Sequence, residues 1–282
     1  MTTGAVIFAQ NNSSIDYTKL AIYAGARVNK YLDIPVTLIT DNKKWLDEKY
    51  TSHPFDNVIE ISQDFNNQQK RFYDGSLTSK ILDWKNLSRG SVYDLTPYDT
   101  TLVLDSDYII SSNILKKSFS DTHDFQIYKK SFDLAGWRNT AEFDRINQYS
   151  IPFYWATVFV FKKSLLTQTL FDLVKYIKGN WLYFRILYNI DSELFRNDFA
   201  FSIAIHILNG KTNGEFATDL PGTMTYTTDK DILLKVENDQ VNFLLEKEGH
   251  LGEYIAAKIS GLDVHVLNKY SLSRFIDGGK GV

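Results

Sequence analysis

The sequence predicts an α/β fold with a mostly parallel central sheet. Short apolar, β-branched runs such as 5–9 and 36–40 are typical of strands that are buried on both faces. An amphipathic helical pattern separates these two runs, and a strand–helix–strand unit implies a parallel pair with a right-handed crossover. A third apolar run, 101–104, leads directly into Asp105-Ser106-Asp107.

The other elements of the first half follow from the same kind of pattern. Asp16 is expected to be the N-cap of a helix that ends before Pro35. Residues 58–61 are expected to form a short strand, and the polar segment 64–75 is expected to be a loop. Residues 76–87 are predicted to form a helix. Its apolar face would contain Leu77, Ile81, Trp84 and Leu87.

The second half continues the mixture of strands and helices without a repeat, a low-complexity tract or a linker. Residues 1–282 are therefore expected to form one domain with a C-terminal extension. Strands are predicted over 126–128, 155–161 and 264–267 and on both sides of Asn238-Asp239. Helices are predicted over 165–177 and 197–208. The second of these helices is expected to be capped by Asn197 or Asp198.

Composition limits the classes of function. The 282 residues carry a net charge of −3, so we expect no global positive field that would attract nucleic acid. The chain has no cysteine, which excludes disulfides, thiolate metal sites and thiol nucleophiles. No apolar run reaches the length of a membrane span. No basic segment precedes the apolar run 4–9, so we expect no secretory leader and a cytoplasmic protein.

The acidic pair Asp105 and Asp107 is the most specific candidate site. Ligands of open α/β sheets bind at the carboxyl ends of the strands, where these carboxylates lie. Two carboxylates one residue apart suit Mg²⁺ or Mn²⁺, and such a cation stabilises a diphosphate leaving group. His265 is a further candidate ligand, and Lys269 could neutralise a phosphate. Alternatively, both carboxylates only form a strand-end turn. A second Asp-x-Asp, 229–231, receives no functional weight.

This order of motifs resembles a known enzyme family. The segment 78–84, Thr-Ser-Lys-Ile-Leu-Asp-Trp, precedes the strand that ends in Leu104-Asp105-Ser106-Asp107, and His265 follows near the C-terminus. The arrangement resembles the GT-A glycosyltransferases, especially the glycogenin-like, retaining group. The resemblance covers residues 1–110 well and the later segments weakly.

The resemblance implies a Rossmann-like GT-A domain with the activity of a hexosyl- or pentosyltransferase. The enzyme would move a sugar from a nucleotide-diphosphate sugar, above all a UDP-sugar, to a hydroxyl group. Residues 1–110 would bind the nucleotide, and residues 111–282 the sugar and the acceptor. Lys80 would contact the diphosphate or the sugar. Asp198 would align the acceptor, balance the oxocarbenium charge or act as nucleophile. The implied ligands of Mn²⁺ or Mg²⁺ are Asp105, Asp107 and His265, and the implied nucleotide-sugar contacts are Ala9, Gln10, Asn11, Thr40, Asp41, Lys80, Asp105, Ser106, Trp155, Thr157, Asn197 and Lys269.

The sequence departs from this family at two places. The family's last histidine is followed by Gly and then Lys-Pro-Trp, whereas this chain has Asn268-Lys269-Tyr270. The family's Asn-Ser-Gly motif in the sugar pocket is replaced by Trp155-Ala156-Thr157, so the donor sugar stays open. A double displacement, a front-face retaining route and an inverting route with a general base also stay open.

A second resemblance suggests an acceptor. The segments 4–9, 33–41 and 265–269 resemble glycosyltransferases encoded by large tailed bacteriophages, some of which modify hydroxymethylated pyrimidines in phage DNA. That acceptor requires a basic path and a pocket for a flipped base. The candidates are Lys116, Lys117, Lys129, Lys130, Arg138, Arg145, Lys162 and Lys163, with Trp137, Tyr154 and Trp181 as stacking surfaces. Lipopolysaccharide, a protein side chain and a small glycoside are the alternative acceptors.

Two other classes of protein are alternatives to a glycosyltransferase. A sugar-phosphate nucleotidyltransferase also combines an α/β sheet with a carboxylate-bound Mg²⁺, but that class has a Gly-rich basic loop after its first strand. The corresponding segment 10–14 contains no Gly, Lys or Arg. A non-catalytic module would bind nucleotide-sugar without turnover. Against it, Asp105, Asp107 and His265 are all present.

Overall fold

The computed structural model describes residues 1–62, 68–85, 89–136, 138, 144–147 and 150–278. Strands outnumber helices in these segments. The strands are β1 (Thr3–Ala9), β2 (Val36–Thr40), β3 (Asn57–Glu60), β4 (Gln69–Tyr73), β5 (Ser79–Asp83), β6 (Thr100–Asp105), β7 (Tyr108–Ile109), β8 (Phe125–Tyr128), β9 (Ser131–Asp133), β10 (Trp155–Lys162), β11 (Met224–Thr227), β12 (Ile232–Glu237), β13 (Gln240–Glu246), β14 (Tyr254–Ser260) and β15 (Val264–Val266). The helices are α1 (Tyr17–Leu32), α2 (Lys43–Lys49), α3 (Val92–Leu95), α4 (Leu165–Gly179), α5 (Trp181–Leu187), α6 (Asn197–Leu208) and α7 (Lys269–Asp277).

A six-stranded sheet in the order β3-β2-β1-β6-β10-β8 forms the centre of the molecule. The first four of these strands are parallel, whereas β10 pairs antiparallel with both β6 and β8. Every residue of β2 is buried, as is all of β10 except Lys162. The apolar composition of these strands explains their burial on both faces. The predicted α/β fold with a mostly parallel central sheet is confirmed.

The strand register brings three chain segments to one edge of this sheet. Phe8 of β1 pairs with Asp105 of β6, so both strands end at the same level. Gln10 follows β1 there. Because β10 runs in the opposite direction, its first residues, beginning with Trp155, reach the same edge. This edge therefore collects polar residues from the ends of two strands and the beginning of a third.

A four-stranded sheet in the order β7-β15-β11-β9 adjoins that edge. In it, His265 of β15 pairs antiparallel with Tyr108 of β7. Tyr108 directly follows Asp107, and the Val266 amide donates to the Asp107 carbonyl at 2.9 Å. The pairing of β7 with β15 thus places His265 beside Asp107, although the two residues are 158 positions apart in the sequence.

A second hydrophobic core lies where the antiparallel sheet β12-β13-β14 meets the β4–β5 hairpin and α7. Phe72 and Leu82 of the hairpin share this core with Phe243 of β13. The Tyr23 ring of α1 contacts the Phe275 ring of α7 edge-on at 5.7 Å. The chain end and the hairpin are therefore packed against the first helix. Among the described residues, no helix combines the length and apolarity that a bilayer crossing needs.

Most predicted elements of the sheet and of the long helices are confirmed with small shifts of their ends. Asp16 caps α1, because its carboxylate accepts a hydrogen bond from the Lys19 amide at 3.0 Å. The predicted cap of α6 is wrong. Arg196 stands at the N-cap and forms no side-chain capping hydrogen bond, and Asn197 and Asp198 are the first two residues of the helix.

The helix predicted over 76–87 is wrong. Residues 79–83 form β5, which pairs with β4 in a hairpin, so the loop predicted over 64–75 also contains a strand. Gly75 has a φ of +73°, which suits a tight turn and interrupts a helix. Leu77 and Ile81 are 78% and 56% exposed, so the expected apolar face is not buried. Leu87 and residues 64–67 lie outside the described residues.

Candidate metal and anion site

Asp105, Asp107 and His265 converge at the carboxyl edge of the central sheet. One ligand atom from each lies within 4.8 Å of the others. His265 Nε2 is 3.2 Å from Asp107 Oδ2 and 3.8 Å from Asp105 Oδ2. His265 Nδ1 lies 3.5 Å from the Thr157 hydroxyl. Two carboxylates and one imidazole are a donor set that fits a divalent cation such as Mn²⁺ or Mg²⁺.

Electrostatics keep these groups in the forms that bind metals. Burial alone would raise the pKa of Asp107, but the positive charge of Lys269, followed by the neighbouring His265, holds that pKa well below its usual range. Lys269 Nζ is 2.5 Å from Asp107 Oδ2. Burial lowers the pKa of His265 despite the neighbouring Asp107 carboxylate, which favours the neutral imidazole.

A cavity of about 340 Å³ opens beside this cluster, a volume typical of small-molecule sites. Basic side chains outnumber carboxylates in its lining, and aromatic rings complete the wall. The basic residues are Lys70, Lys85, Arg89, Arg196 and Lys269, the carboxylates are Asp105, Asp107 and Asp198, and the aromatic residues are Phe8, Tyr17, Trp84 and Trp155. A surplus of positive charge in the lining of a cavity suits an anionic ligand.

Arg89 is the most buried of these cations. It is 3% exposed, and burial lowers its pKa to about 10. Its guanidinium forms an ion pair with Asp105 and donates to the Ala156 carbonyl in β10. Arg89 therefore joins β6, which ends in Asp105, to the neighbouring strand β10, whose Trp155 and Thr157 also line the cavity.

Two further cations of the cavity are held by carboxylates. Lys85 Nζ is 3.1 Å from Asp41 Oδ2, at the end of β2. Arg196 Nη2 is 2.8 Å from Asp198 Oδ2. The other carboxylate oxygen of Asp198 accepts a hydrogen bond from the Ala156 amide at 2.9 Å. Both oxygens of Asp198 are thus bonded within the protein.

The structure brings many, but not all, of the sequence-predicted site residues to the cavity. The predicted residues in its lining are Gln10, Asp105, Ser106, Asp107, Trp155, Thr157, Asp198, His265 and Lys269. The predicted residues outside its lining are Ala9, Asn11, Thr40, Asp41, Lys80 and Asn197. The side-chain oxygen Oδ1 of Asn11 accepts hydrogen bonds from the Thr18 amide and hydroxyl, so it is already used at the start of α1.

The structure does not support the expected place of Lys80 in front of β6. The role given to it depended on a helix in front of β6, and that helix is a hairpin. Lys80 is exposed on β5 and does not line the cavity. From the same segment, Lys70 and Lys85 reach the cavity instead.

In the described part of the chain, two buried polar atoms without a hydrogen-bond partner lie just after the carboxyl ends of β1 and β2. Within the described segments, Gln10 Nε2 and Asp41 Oδ1 are buried and have no hydrogen-bond partner. Leaving such groups unpaired costs about 1–3 kcal/mol each. A ligand with polar atoms at the ends of β1 and β2 would remove this cost.

Sequence reasoning missed Lys70, Lys85, Arg89 and Arg196. No sequence pattern distinguishes these residues from ordinary solvent-exposed lysines and arginines. Each reaches the cavity through a hairpin, a turn or a helix cap, and such placements depend on the tertiary structure. The one available signal was the position of Arg196 next to Asn197-Asp198, a segment already assigned to the sugar pocket.

Asp231 of the second Asp-x-Asp, 229–231, belongs to a buried ion cluster that supports the fold. Asp231 is 1% exposed, and its carboxylate is 2.8 Å from Arg138 Nη2. Arg138 also pairs with Asp133 at 2.6 Å. This buried ion cluster ties β9 to the start of β12 and contributes no residue to the cavity.

The sequence matches no protein-family profile and no curated protein. Solved structures with a similar fold include the glycosyltransferase GlyE of Streptococcus pneumoniae, at a TM-score of 0.41 and 13% identity over 78% of this chain. The chain spans 45% of the length of GlyE. They also include the galactosyltransferase LgtC in complex with donor and acceptor sugar analogues, at a TM-score of 0.47 and 14% identity, covering 77% of this chain and 72% of LgtC.

Proposed function

We propose that this protein is a metal-dependent glycosyltransferase that uses a nucleotide-diphosphate sugar as donor. One observation carries the proposal: the Asp105–Asp107–His265 cluster and a cavity rich in cations lie together at the carboxyl edge of a parallel sheet. A divalent cation beside several basic side chains is the environment that a diphosphate requires. The resemblance of the sequence to GT-A glycosyltransferases supports the same function.

The residues of the cavity suggest how the donor is bound. Gln10 and Asp41 would contact the nucleoside, because their unpaired polar atoms lie at the ends of β1 and β2. Ala9, Asn11 and Thr40 would shape the same strand ends. Asp105, Asp107 and His265 would hold the cation, which, when bound, supplies positive charge for the leaving diphosphate. The remaining proposed contacts to the nucleotide-sugar are Ser106, Trp155, Thr157, Asn197 and Lys269.

The chain's own residues would orient the donor and stabilise its charge. Arg89 is preorganised by its ion pair with Asp105 and its bond to the Ala156 carbonyl, so it needs little reorganisation when negative charge develops on the diphosphate. Asp198 would position the sugar pocket through the Ala156 amide and balance positive charge at the sugar. Residues 1–110 and 111–282 both line the cavity, which favours a single functional domain.

For the acceptor, we retain hydroxymethylated pyrimidine in DNA as the leading hypothesis, on the basis of the resemblance to phage glycosyltransferases. Lys116 and Lys117 are exposed and could contact a DNA backbone. Other predicted contacts are used within the protein. Arg138 is held by Asp133 and Asp231, and Tyr154 is buried. Trp137 lies outside the described residues.

Calorimetric titration tests the donor site. The protein is titrated with UDP, GDP, ADP and CDP, each with Mn²⁺ and with chelator. Cation-dependent binding of one nucleoside diphosphate is expected, and UDP is the first candidate. If none binds, the proposed function is wrong. Binding that does not depend on the cation would contradict the metal site alone.

A transfer assay tests the acceptor. The labelled sugar of the corresponding donor is offered with hydroxymethylated DNA and, as matched control, with unmodified DNA of the same sequence. Incorporation into the hydroxymethylated DNA only is the expected result. Incorporation into lipopolysaccharide, a protein or a small glycoside, with none into DNA, would replace this acceptor. Donor binding without transfer or hydrolysis would favour a non-catalytic module.

A further inference from the structure

The β4–β5 hairpin contributes a basic residue, Lys70, to the wall of the cavity. Side chains alternate along β4. Phe72 is buried in the second core, Lys70 is half-buried on the same face, and Arg71 is exposed on the opposite face. The hairpin therefore directs Lys70 inward, toward the cavity, for the same reason that it directs Phe72 toward the core.

Lys70 differs from the other cations of the cavity in its partners. Lys85, Arg89, Arg196 and Lys269 each form an ion pair with a carboxylate. For Lys70, no ion pair or hydrogen bond to a side chain exists within the described segments. Its ammonium instead lies 5.5 Å from the centre of the Trp84 ring and 5.8 Å from that of Phe72.

The surroundings of Lys70 destabilise its charged form when no anion is bound nearby. Burial, followed by the positive charges of Lys269 and Arg196, lowers the pKa of Lys70 to about 8, and the carboxylates Asp229 and Asp107 offset this only in part. A half-buried ammonium near two other cations is unfavourable unless an anion enters the space between them. That space is the cavity next to the metal cluster.

The hairpin is fixed in place by contacts at its turn. Arg274 of α7 forms two bonds with the Asp74 carboxylate, at 2.6 and 2.8 Å. The Ser76 amide donates to the Tyr254 hydroxyl of β14 at 2.9 Å. Because α7 also begins with Lys269, one helix anchors both the hairpin and a cation of the metal cluster. The position of Lys70 relative to the site is thus set by the fold.

We infer that Lys70 binds the diphosphate of the donor, so that the β4–β5 hairpin is part of the donor site. The inference rests on the proposed function, since it names one further residue of the same site. Trp84 and Phe72 flank the ammonium and hold it toward the cavity as cation–π partners. Lys70 thereby takes the role that the sequence had suggested for Lys80 on the neighbouring strand.

Calorimetric titration of the full chain with UDP, GDP, ADP and CDP in the presence of Mn²⁺ tests this role. Lys70→Met keeps the apolar stem and removes the charge. A charge-assisted bond to phosphate predicts that it weakens binding of the nucleoside diphosphate by roughly 10- to 100-fold. Lys70→Arg should restore a large part of the affinity. Arg71→Met, on the opposite face of the same strand, is the matched control and should bind like wild type.

The outcomes separate the inference from the function on which it rests. If wild type binds a nucleoside diphosphate and Lys70→Met binds it equally well, the role of Lys70 is wrong while the glycosyltransferase proposal stands. If wild type binds none of the four nucleoside diphosphates, both the role of Lys70 and the glycosyltransferase proposal are wrong. Comparison of the nucleoside monophosphate with the diphosphate gives a second readout. The loss in Lys70→Met should be larger for the diphosphate, whereas an equal loss for both would point to packing and overturn the inference.

Discussion

Lys269 Nζ lies 2.5 Å from Asp107 Oδ2, so a lysine already forms an ion pair with a carboxylate of the candidate metal cluster. His265 Nε2 is 3.2 Å from the same oxygen. Ammonium and divalent cation would repel each other at one carboxylate oxygen. We therefore expect Lys269 to turn toward the diphosphate when a cation binds, which would couple metal binding to donor binding.

The first prediction concerns the metal cluster. Asp107→Ala should abolish Mn²⁺-dependent donor binding and leave the fold intact. Loss of groups that merely support a metal ligand costs 10- to 100-fold in affinity, so loss of a ligand should cost more than roughly 100-fold. Titration with nucleoside diphosphate and Mn²⁺ measures the effect, and circular dichroism checks the fold. Asp94→Ala, on the exposed surface of α3, is the control. Donor binding by Asp107→Ala equal to that of wild type would place the site elsewhere.

The second prediction concerns the other Asp-x-Asp. Asp231→Ala should leave Mn²⁺-dependent nucleotide binding unchanged but lower the free energy of unfolding by about 3–5 kcal/mol, because Arg138 and Asp133 would remain as an incomplete buried cluster. Urea denaturation measures the loss. The two Asp-x-Asp motifs thus give opposite results, binding lost at 105–107 and stability lost at 229–231. A stable Asp231→Ala that fails to bind nucleotide would contradict this assignment.

The comparison of sequence and structure shows where local patterns are sufficient. The buried strands of the central sheet were predictable because parallel strands are apolar on both faces, and β2 and β10 have that composition. Asp105 and Asp107 were predictable from the strand in front of them. His265 was a candidate ligand because of its residue type and of the family resemblance, and the pairing of β15 with β7 explains its position beside Asp107.

The hairpin shows where local patterns fail. Leu77 and Ile81 have the spacing of a helix, but the pairing of β4 with β5 and the burial of Phe72 and Leu82 decide the structure. The error had a functional consequence, because it assigned the diphosphate to Lys80 and left out Lys70. Tertiary contacts outweigh intrinsic propensity in short segments of this kind.

The third prediction links the pKa of Lys70 to stability. This pKa falls from 10.5 to about 8 on folding, because of burial and of the charges of Lys269 and Arg196. Between these two values the unfolded chain binds more protons than the folded chain, so the unfavourable contribution of Lys70 is full below pH 8 and disappears as the pH rises toward 10.5.

Lys70→Met should therefore raise the free energy of unfolding at pH 7 by roughly 1–2 kcal/mol. This value is smaller than the full effect of the pKa shift, because the half-buried side chain is partly screened by solvent. The gain should shrink as the pH rises above 8. Thermal unfolding without nucleotide at pH 7 and pH 9.5 measures both effects, with Arg71→Met as control. An equal gain at both pH values would show that packing, and not charge, causes the stabilisation.

The fourth prediction distinguishes two roles of Asp198. Its oxygens accept bonds from the Ala156 amide at 2.9 Å and from Arg196 at 2.8 Å, which favours a positioning role over that of nucleophile. Asparagine can still accept from the Ala156 amide, so Asp198→Asn should lower kcat by less than roughly tenfold. Asp198→Ala leaves that amide unpaired and should cost roughly 10- to 100-fold.

Separate measurement of kcat and KM with the donor identified by titration checks this prediction. If Asp198 is instead a nucleophile, the asparagine variant cannot form the covalent intermediate and should be as inactive as the alanine variant. Mass spectrometry of the wild-type protein, incubated with donor and no acceptor, provides the second test, because a glycosyl adduct on Asp198 would contradict the positioning role. If Asp198→Asn keeps a kcat close to that of wild type and no adduct forms, Asp198 acts by positioning β10, which lines the sugar pocket.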